Sequence, residues 1–189
     1  TLGRWANYLR RQRHPEAVVT YVVDRNINYT NICVSGCRFC AFFRPPGHPE
    51  GYVLSWEELD RKLAETRALG GTGVLLQGGL NPDLPFAYYE ELVCFIRQAG
   101  LHVHGFSPPE IVFLARTSGL TLPEVLARLM AAGLGSIPGG GAEILVDRVR
   151  RQVAPGKGST EEWLTVMAAA HALGLRTTAT MMFGHIETR

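Results

Sequence analysis

Three cysteines fall within eight residues: Cys33, Cys37 and Cys40. Three thiolates carried on one loop can hold three irons of a [4Fe–4S] cluster, leaving the fourth iron open. An open metal position is where a small molecule can bind and react. Gly36 sits beside Cys37 and permits a backbone turn that a larger residue would resist. Two other readings stand beside this one. Structural zinc asks for four ligands, commonly two separated pairs; His48 is the candidate fourth, but Pro45, Pro46 and Gly47 precede it. Chance clustering is the other. Cys94 lies in the apolar run Tyr88 to Ile96 and is expected to be a buried helix cysteine.

A loop of this kind needs a framework, and the rest of the chain supplies one. The 189 residues suffice for one domain with a real core, read as a single unit over 1–189. The formal net charge is +2, with acids and bases interspersed. That balance excludes a nucleic-acid stripe and a polybasic membrane patch. No apolar run approaches the ~20 residues of a membrane span, and the start does not read as a signal peptide. A cytoplasmic protein is the expectation. A tight cysteine triplet is also unlike a disulfide framework, which spreads pairs along a small secreted chain.

Apolar β-rich runs alternate with amphipathic ones. Val18–Val23 and Ile27–Ile32 read as extended. Ser55 opens a helix, with Glu58 completing a capping box and Leu59, Leu63 and Leu69 forming the apolar stripe. Thr72–Leu76 is a strand, Phe86–Gln98 a helix and Leu101–Phe106 a strand. Pro108–Thr117 and Thr121–Ala132 read as helices, Leu134–Ile137 as a strand, Ser159–Leu173 as a helix and Leu175–Met182 as a strand. Such alternation argues for an α/β fold of parallel βα units, about five of them. A closed (β/α) barrel of eight units needs about 250 residues, so a partial barrel with its C-terminal units missing is expected. Ligands in these folds bind where strands give way to loops, at the C-terminal face. Five loops are therefore expected to converge on one mouth: the cysteine triplet, Gln77-Gly78-Gly79, Ser107 to Glu110, Pro138 to Glu143, and Phe183-Gly184-His185.

The spacing Cys33-x-x-x-Cys37-x-x-Cys40 resembles the signature of the radical S-adenosylmethionine (SAM) superfamily. The flanks, Asn28-Tyr29-Thr30-Asn31-Ile32 and Ala41-Phe42-Phe43-Arg44, resemble the subfamily that makes menaquinone precursors and the deazaflavin cofactor. The blocks Leu75 to Pro82, Phe106 to Glu110, Ser136 to Glu143 and Thr180 to His185 are most similar to its futalosine-cyclising branch. The sister branches, aminofutalosine synthase and the tyrosine-using half of deazaflavin synthase, share the cluster and SAM. A non-catalytic iron–sulfur or zinc protein is the alternative of another class.

The resemblance implies a partial radical SAM barrel with a [4Fe–4S] cluster on Cys33, Cys37 and Cys40. It implies reductive cleavage of SAM to methionine and a 5′-deoxyadenosyl radical, with flavodoxin or ferredoxin as the class of reductant. The radical would take the ribose C4′ hydrogen of dehypoxanthine futalosine and so start its cyclisation on the route to menaquinone. Phe39 is placed beside the adenine. Gln77, Gly78 and Gly79 occupy the position that binds the methionyl amine, or form a plain βα turn; Leu80 stands where relatives carry an acid. Ile137 is placed against adenine. Glu143 is assigned to SAM or substrate, or is a first-turn helix acid. Ser107 and Glu110 are assigned to the SAM ribose, or start a helix. His185 is assigned to substrate, or is an ordinary loop histidine. His102 and His104 share a strand face and are candidates to line the barrel. Arg44 is a candidate partner for a substrate carboxylate, or an ordinary surface arginine.

Overall fold

The computed structural model describes residues 1–16 and 18–188. In chain order the elements are α1 (Leu2–Arg13), β1 (Asp24–Asn28), α2 (Trp56–Ala68), β2 (Gly73–Gln77), α3 (Phe86–Gln98), β3 (His102–Gly105), α4 (Pro108–Ser118), α5 (Leu122–Ala132), β4 (Leu134–Ile137), α6 (Asp147–Val153), α7 (Thr160–Ala172) and β5 (Arg176–Thr177). The five strands form one sheet in the order β1-β2-β3-β4-β5, and each neighbouring pair is parallel. Sequential parallel strands joined by helical crossovers are the pattern of a (β/α) barrel, here five strands and four crossovers among the described residues.

Strand side chains alternate between two faces. Val74, Leu76 and Val103 are fully buried in a core shared with Leu59 and Leu63 of α2, Leu92 and Ile96 of α3, Leu126 of α5 and Val166 of α7. The opposite face carries Leu75, His104 and Ser136, aligned across β2, β3 and β4 and only half-buried. Helix starts are fixed locally. Ser55 accepts the N–H of Glu58, and full capping boxes stand at Thr121/Glu124 and Ser159/Glu162. Each such cap is worth about 1 kcal/mol.

Several expectations are corrected. Val18, Val19, Val22 and Val23 are exposed and lie outside the sheet, where no partner strand covers them among the described residues. Ile27–Ile32 is strand only through Asn28. Beyond it the chain leaves the sheet and makes isolated bridges, Thr30 with Val53 and Ile32 with Arg44. Leu69 caps α2 and is exposed rather than part of its buried stripe. Cys94 is exposed, because the buried stripe of α3 runs through Tyr89, Leu92, Val93 and Ile96. The Leu175–Met182 strand shrinks to Arg176–Thr177. After it, the chain turns its bonding to the glycine loop that follows β4: Gly139 N–H donates to Thr178 Oγ1 at 2.9 Å, and Thr180 Oγ1 donates to the Gly139 carbonyl at 2.5 Å.

Candidate functional site

The cysteine loop follows β1 and is pinned from two sides. On one side, Gly79 N–H donates to the Thr30 carbonyl (3.0 Å) and Val34 N–H to the Leu80 carbonyl (3.1 Å), tying the loop to the end of β2. On the other, Arg38 N–H donates to the Val153 carbonyl (2.9 Å) and Gly156 N–H to the Ser35 carbonyl (3.2 Å). Cys37 is buried in a small apolar cluster with Val149, Val153 and Ala154, at the end of α6.

All three cysteines open on one cavity of ≈ 220 Å³ at the C-terminal ends of the strands. Four of the five expected loops reach it: the cysteine loop, Gln77 to Leu80, Ser107 to Glu110, and the segment after β4 with Gly141 and Lys157. The fifth does not. His185 stands behind the wall, its ring 5.9 Å from that of Phe39, with its Nδ1 buried and 3.8 Å from Glu187 Oε2. Ile137 is fully buried in the main core rather than on the cavity wall. Phe39 lines the cavity and is part-exposed, an apolar ring open to a ligand.

The glycines after β2 do two jobs. A Cβ on Gly78 would lie 2.4 Å from the Tyr29 ring, and one on Gly79 would lie 2.1 Å from the Ile32 carbonyl oxygen. They therefore let β2 approach the root of the cysteine loop while lining the cavity. Tyr29 is buried and donates to Glu110 Oε1 at 2.9 Å. Gly78 N–H reaches the same oxygen (3.1 Å), and Ser107 offers its N–H and hydroxyl to Oε2 (2.8 and 2.7 Å). Burial raises the Glu110 pKa while these donors oppose the shift. Ser107 and Glu110 thus form the helix start of α4, a capping box, and face the cavity as well.

Glu143 is not a first-turn helix acid. It sits four residues before α6, buried, with a positive φ of 43°. A non-glycine residue held in that region is uncommon and marks functional positions. Its Oε1 accepts from Lys157 Nζ at 2.9 Å, and Oε2 is buried with no hydrogen-bond partner among the described residues. Lys157 also lies over the Phe39 ring, 5.2 Å from its centroid. Lys157 and Arg150 went unmarked in the sequence. Lys157 is a lone cation between two glycines, and nothing in its spacing signals the cavity. Arg44, by contrast, is occupied locally by Glu50 and the carbonyls of Ala41 and Phe43. Asn31 bonds Glu50 and Tyr52 across the base of the same hairpin-like excursion. His102 and His104 both hydrogen-bond Ser136 Oγ, at 2.8 and 2.7 Å, on the half-buried sheet face.

The donor set fits a cluster better than a single ion. Among the described residues no three His, Cys, Asp or Glu side chains converge on one ion position. His48 does not line the cavity, and its Nδ1 accepts the Glu50 N–H at 3.1 Å, so the zinc reading lacks its fourth ligand. A four-iron cluster takes each thiolate on a different iron and needs no common point. Cys33 Sγ accepts the Ser35 N–H at 3.4 Å, and Cys37 Sγ shares a hydrogen bond of 3.1 Å with the Ser35 hydroxyl. No helix among the described residues is long and apolar enough to cross a membrane.

Comparison with known proteins agrees with this geometry. Residues 27–189 match the family model of the radical SAM superfamily. The chain is 46% identical over 189 residues to a cyclic dehypoxanthine futalosine synthase of Halalkalibacterium halodurans, covering 99% of this chain and 51% of that protein. It is also 46% identical over 172 residues to a 5-amino-6-(D-ribitylamino)uracil–L-tyrosine 4-hydroxyphenyl transferase of Methanopyrus kandleri, covering 90% of this chain and 47% of that one. The chain thus spans about half the length of these relatives. Methylornithine synthase has the same fold, with a TM-score of 0.66 and 18% identity over 92% of this chain and 48% of that structure. A family match that begins inside β1 and takes in every later strand, with relatives this similar, makes the chain a member of the radical SAM superfamily, an enzyme family that uses a [4Fe–4S] cluster and SAM.

Proposed function

We propose that this chain is the radical-generating core of an enzyme that cyclises dehypoxanthine futalosine on the route to menaquinone. The observation that carries the reading is the cavity on which Cys33, Cys37 and Cys40 open together with the glycine turns of the neighbouring strands. The choice of substrate leans on the cyclase relative and on the blocks Gln77 to Pro82 and Ser107 to Glu110, since transferase relatives match the chain over the same extent. When bound and reduced, the cluster and SAM supply a 5′-deoxyadenosyl radical that takes a hydrogen atom from the substrate.

The residues divide the remaining work. Cys33, Cys37 and Cys40 would hold three irons of the cluster. Phe39, part-exposed at the cavity edge, offers its ring to the adenine. Gln77, with Gly78 and Gly79, forms the wall that receives the methionyl end through backbone and amide groups. Ser107 sits across the cavity with its hydroxyl committed to Glu110, so its part in binding is to shape the ribose side. Glu143 lies behind the cavity lining and holds Lys157 in place, so its part is to position that cation rather than to meet the substrate itself. His185 backs Phe39 and steadies that ring. Positioning of this kind is the main task left to the protein when a cofactor does the hard chemistry. A cluster on three cysteines suits a reducing, cytoplasmic setting, with a low-potential flavodoxin or ferredoxin as the electron source.

The second reading follows the second relative: 4-hydroxyphenyl transfer between L-tyrosine and 5-amino-6-(D-ribitylamino)uracil. An anaerobic assay of the reconstituted, reduced protein decides between them. With SAM and dehypoxanthine futalosine, the proposal expects 5′-deoxyadenosine together with a product lighter by two hydrogens. 5′-Deoxyadenosine formed only with tyrosine and the uracil would move the assignment to the second reading.

A further inference from the structure

Glu143 and Arg150, both buried, and the part-exposed Lys157 form a charged group against the cysteine loop. Glu143 lies 2.9 Å from Lys157 Nζ and 3.9 Å from Arg150 Nη1. Arg150 is 1% exposed and donates to the carbonyls of Gly141, Ala142, Lys157 and Gly158. Its guanidinium therefore fixes both the Glu143 loop and the Lys157 turn. Two cations and one carboxylate leave one positive charge uncompensated. That charge is directed: Lys157 lines the same cavity as the three cysteines and overlies Phe39, the neighbour of Cys40. The turn carrying it cannot drift, because a Cβ on Gly156 would lie 2.6 Å from the Ser35 backbone.

We propose that Lys157, held by Glu143, is a positioning residue that sets the charge beside Cys37 and Cys40 and so governs how readily the cluster takes up an electron. The inference rests on the reading that the three cysteines hold the cluster. One electron from a low-potential reductant adds one unit of negative charge to the cluster, and no bond in the protein forms or breaks. Net charge around a cluster is among the factors that set its potential. A fixed cation nearby favours the more negative, reduced form. Removing it shifts the one-electron equilibrium toward the oxidised form by about tenfold, which is ~59 mV.

The test is an EPR-monitored potentiometric titration of the reconstituted chain without SAM or substrate, with iron and sulfide measured on the same samples. Lys157→Met is expected to keep its cluster and to have a potential lower by the shift above. Lys157→Arg is expected to stay near the wild type. Glu143→Gln removes the compensating anion and is expected to shift the potential upward, a sign that general disruption of the loop would not produce. Unchanged potentials in Lys157→Met and Glu143→Gln with full clusters overturn the proposal, whatever happens to SAM binding. If Lys157→Met takes up no iron, Glu143→Gln decides: an upward shift supports the proposal, and no shift or a downward one overturns it. A wild-type chain that binds no cluster instead refutes the cysteine assignment, and the proposal falls with it.

Discussion

Tyr29 and Glu110, 81 residues apart in sequence, meet in a 2.9 Å hydrogen bond at the wall of the cavity. That bond joins the exit of β1 to the start of α4. Because Gly78 N–H and both Ser107 donors share the carboxylate, one side chain ties the ends of three successive strands. Burial holds the Tyr29 phenol well above its usual range, so it remains a donor. The cysteine loop begins four residues later, and its position is inherited from this junction.

Glu110→Ala should therefore destabilise the whole domain. It strands the Tyr29 hydroxyl, the Gly78 N–H and the Ser107 donors where little water reaches. Each buried unsatisfied group costs about 1–3 kcal/mol, so with four donors left unpaired a loss of at least about 4 kcal/mol is expected in a denaturant titration. Glu110→Gln keeps an acceptor and should lose less. Equal midpoints for wild type and Glu110→Ala would contradict the junction.

Gly79→Ala should disturb the cysteine loop through its root. The added methyl would lie 2.1 Å from the Ile32 carbonyl oxygen and 2.8 Å from Cys33 Cβ. Overpacking of this kind costs about 1–3 kcal/mol, and here the movable part is the loop itself. Iron content after reconstitution should fall well below that of the wild type. Gly3→Ala, in exposed α1 with nothing within 4 Å, is the control and should bind iron normally.

His104 gives the fold a pH dependence. Burial, and secondarily His102, depresses its pKa below the ordinary 6.5. The unfolded chain then binds more protons than the folded one between the two values. Stability from this group is complete above about pH 6.5 and is lost as pH falls through the folded value. Thermal melts from pH 7.5 down to 5 should show a fall that His104→Asn reduces. Parallel pH profiles for the two proteins would contradict this.

Much of the site could be read from the sequence because its signals are local. The cysteine spacing, the glycine turn at Gly78-Gly79 and the capping boxes at Thr121 and Ser159 each depend on residues a few positions apart. Cys94 was misplaced although the information was present: the stripe Tyr89, Leu92, Val93, Ile96 leaves Cys94 outside it. Lys157 and Arg150 were not legible, since their meaning comes from carbonyls and a carboxylate brought together only by the loop after β4. Val18–Val23 has the composition of a strand but no neighbour to pair with among the described residues, and composition alone does not supply one.

The central claim is that one cysteine loop builds a cluster that cleaves SAM. Its most direct test measures iron and 5′-deoxyadenosine in the same anaerobic samples of wild type and Cys37→Ala, reconstituted and reduced with SAM present. Cys37 lies buried at the meeting of the loop with α6. The wild type should carry about four irons per chain, as a [4Fe–4S] cluster requires, and release 5′-deoxyadenosine. Cys37→Ala should lose both. A variant that keeps a full iron complement and the same yield of 5′-deoxyadenosine would contradict the account.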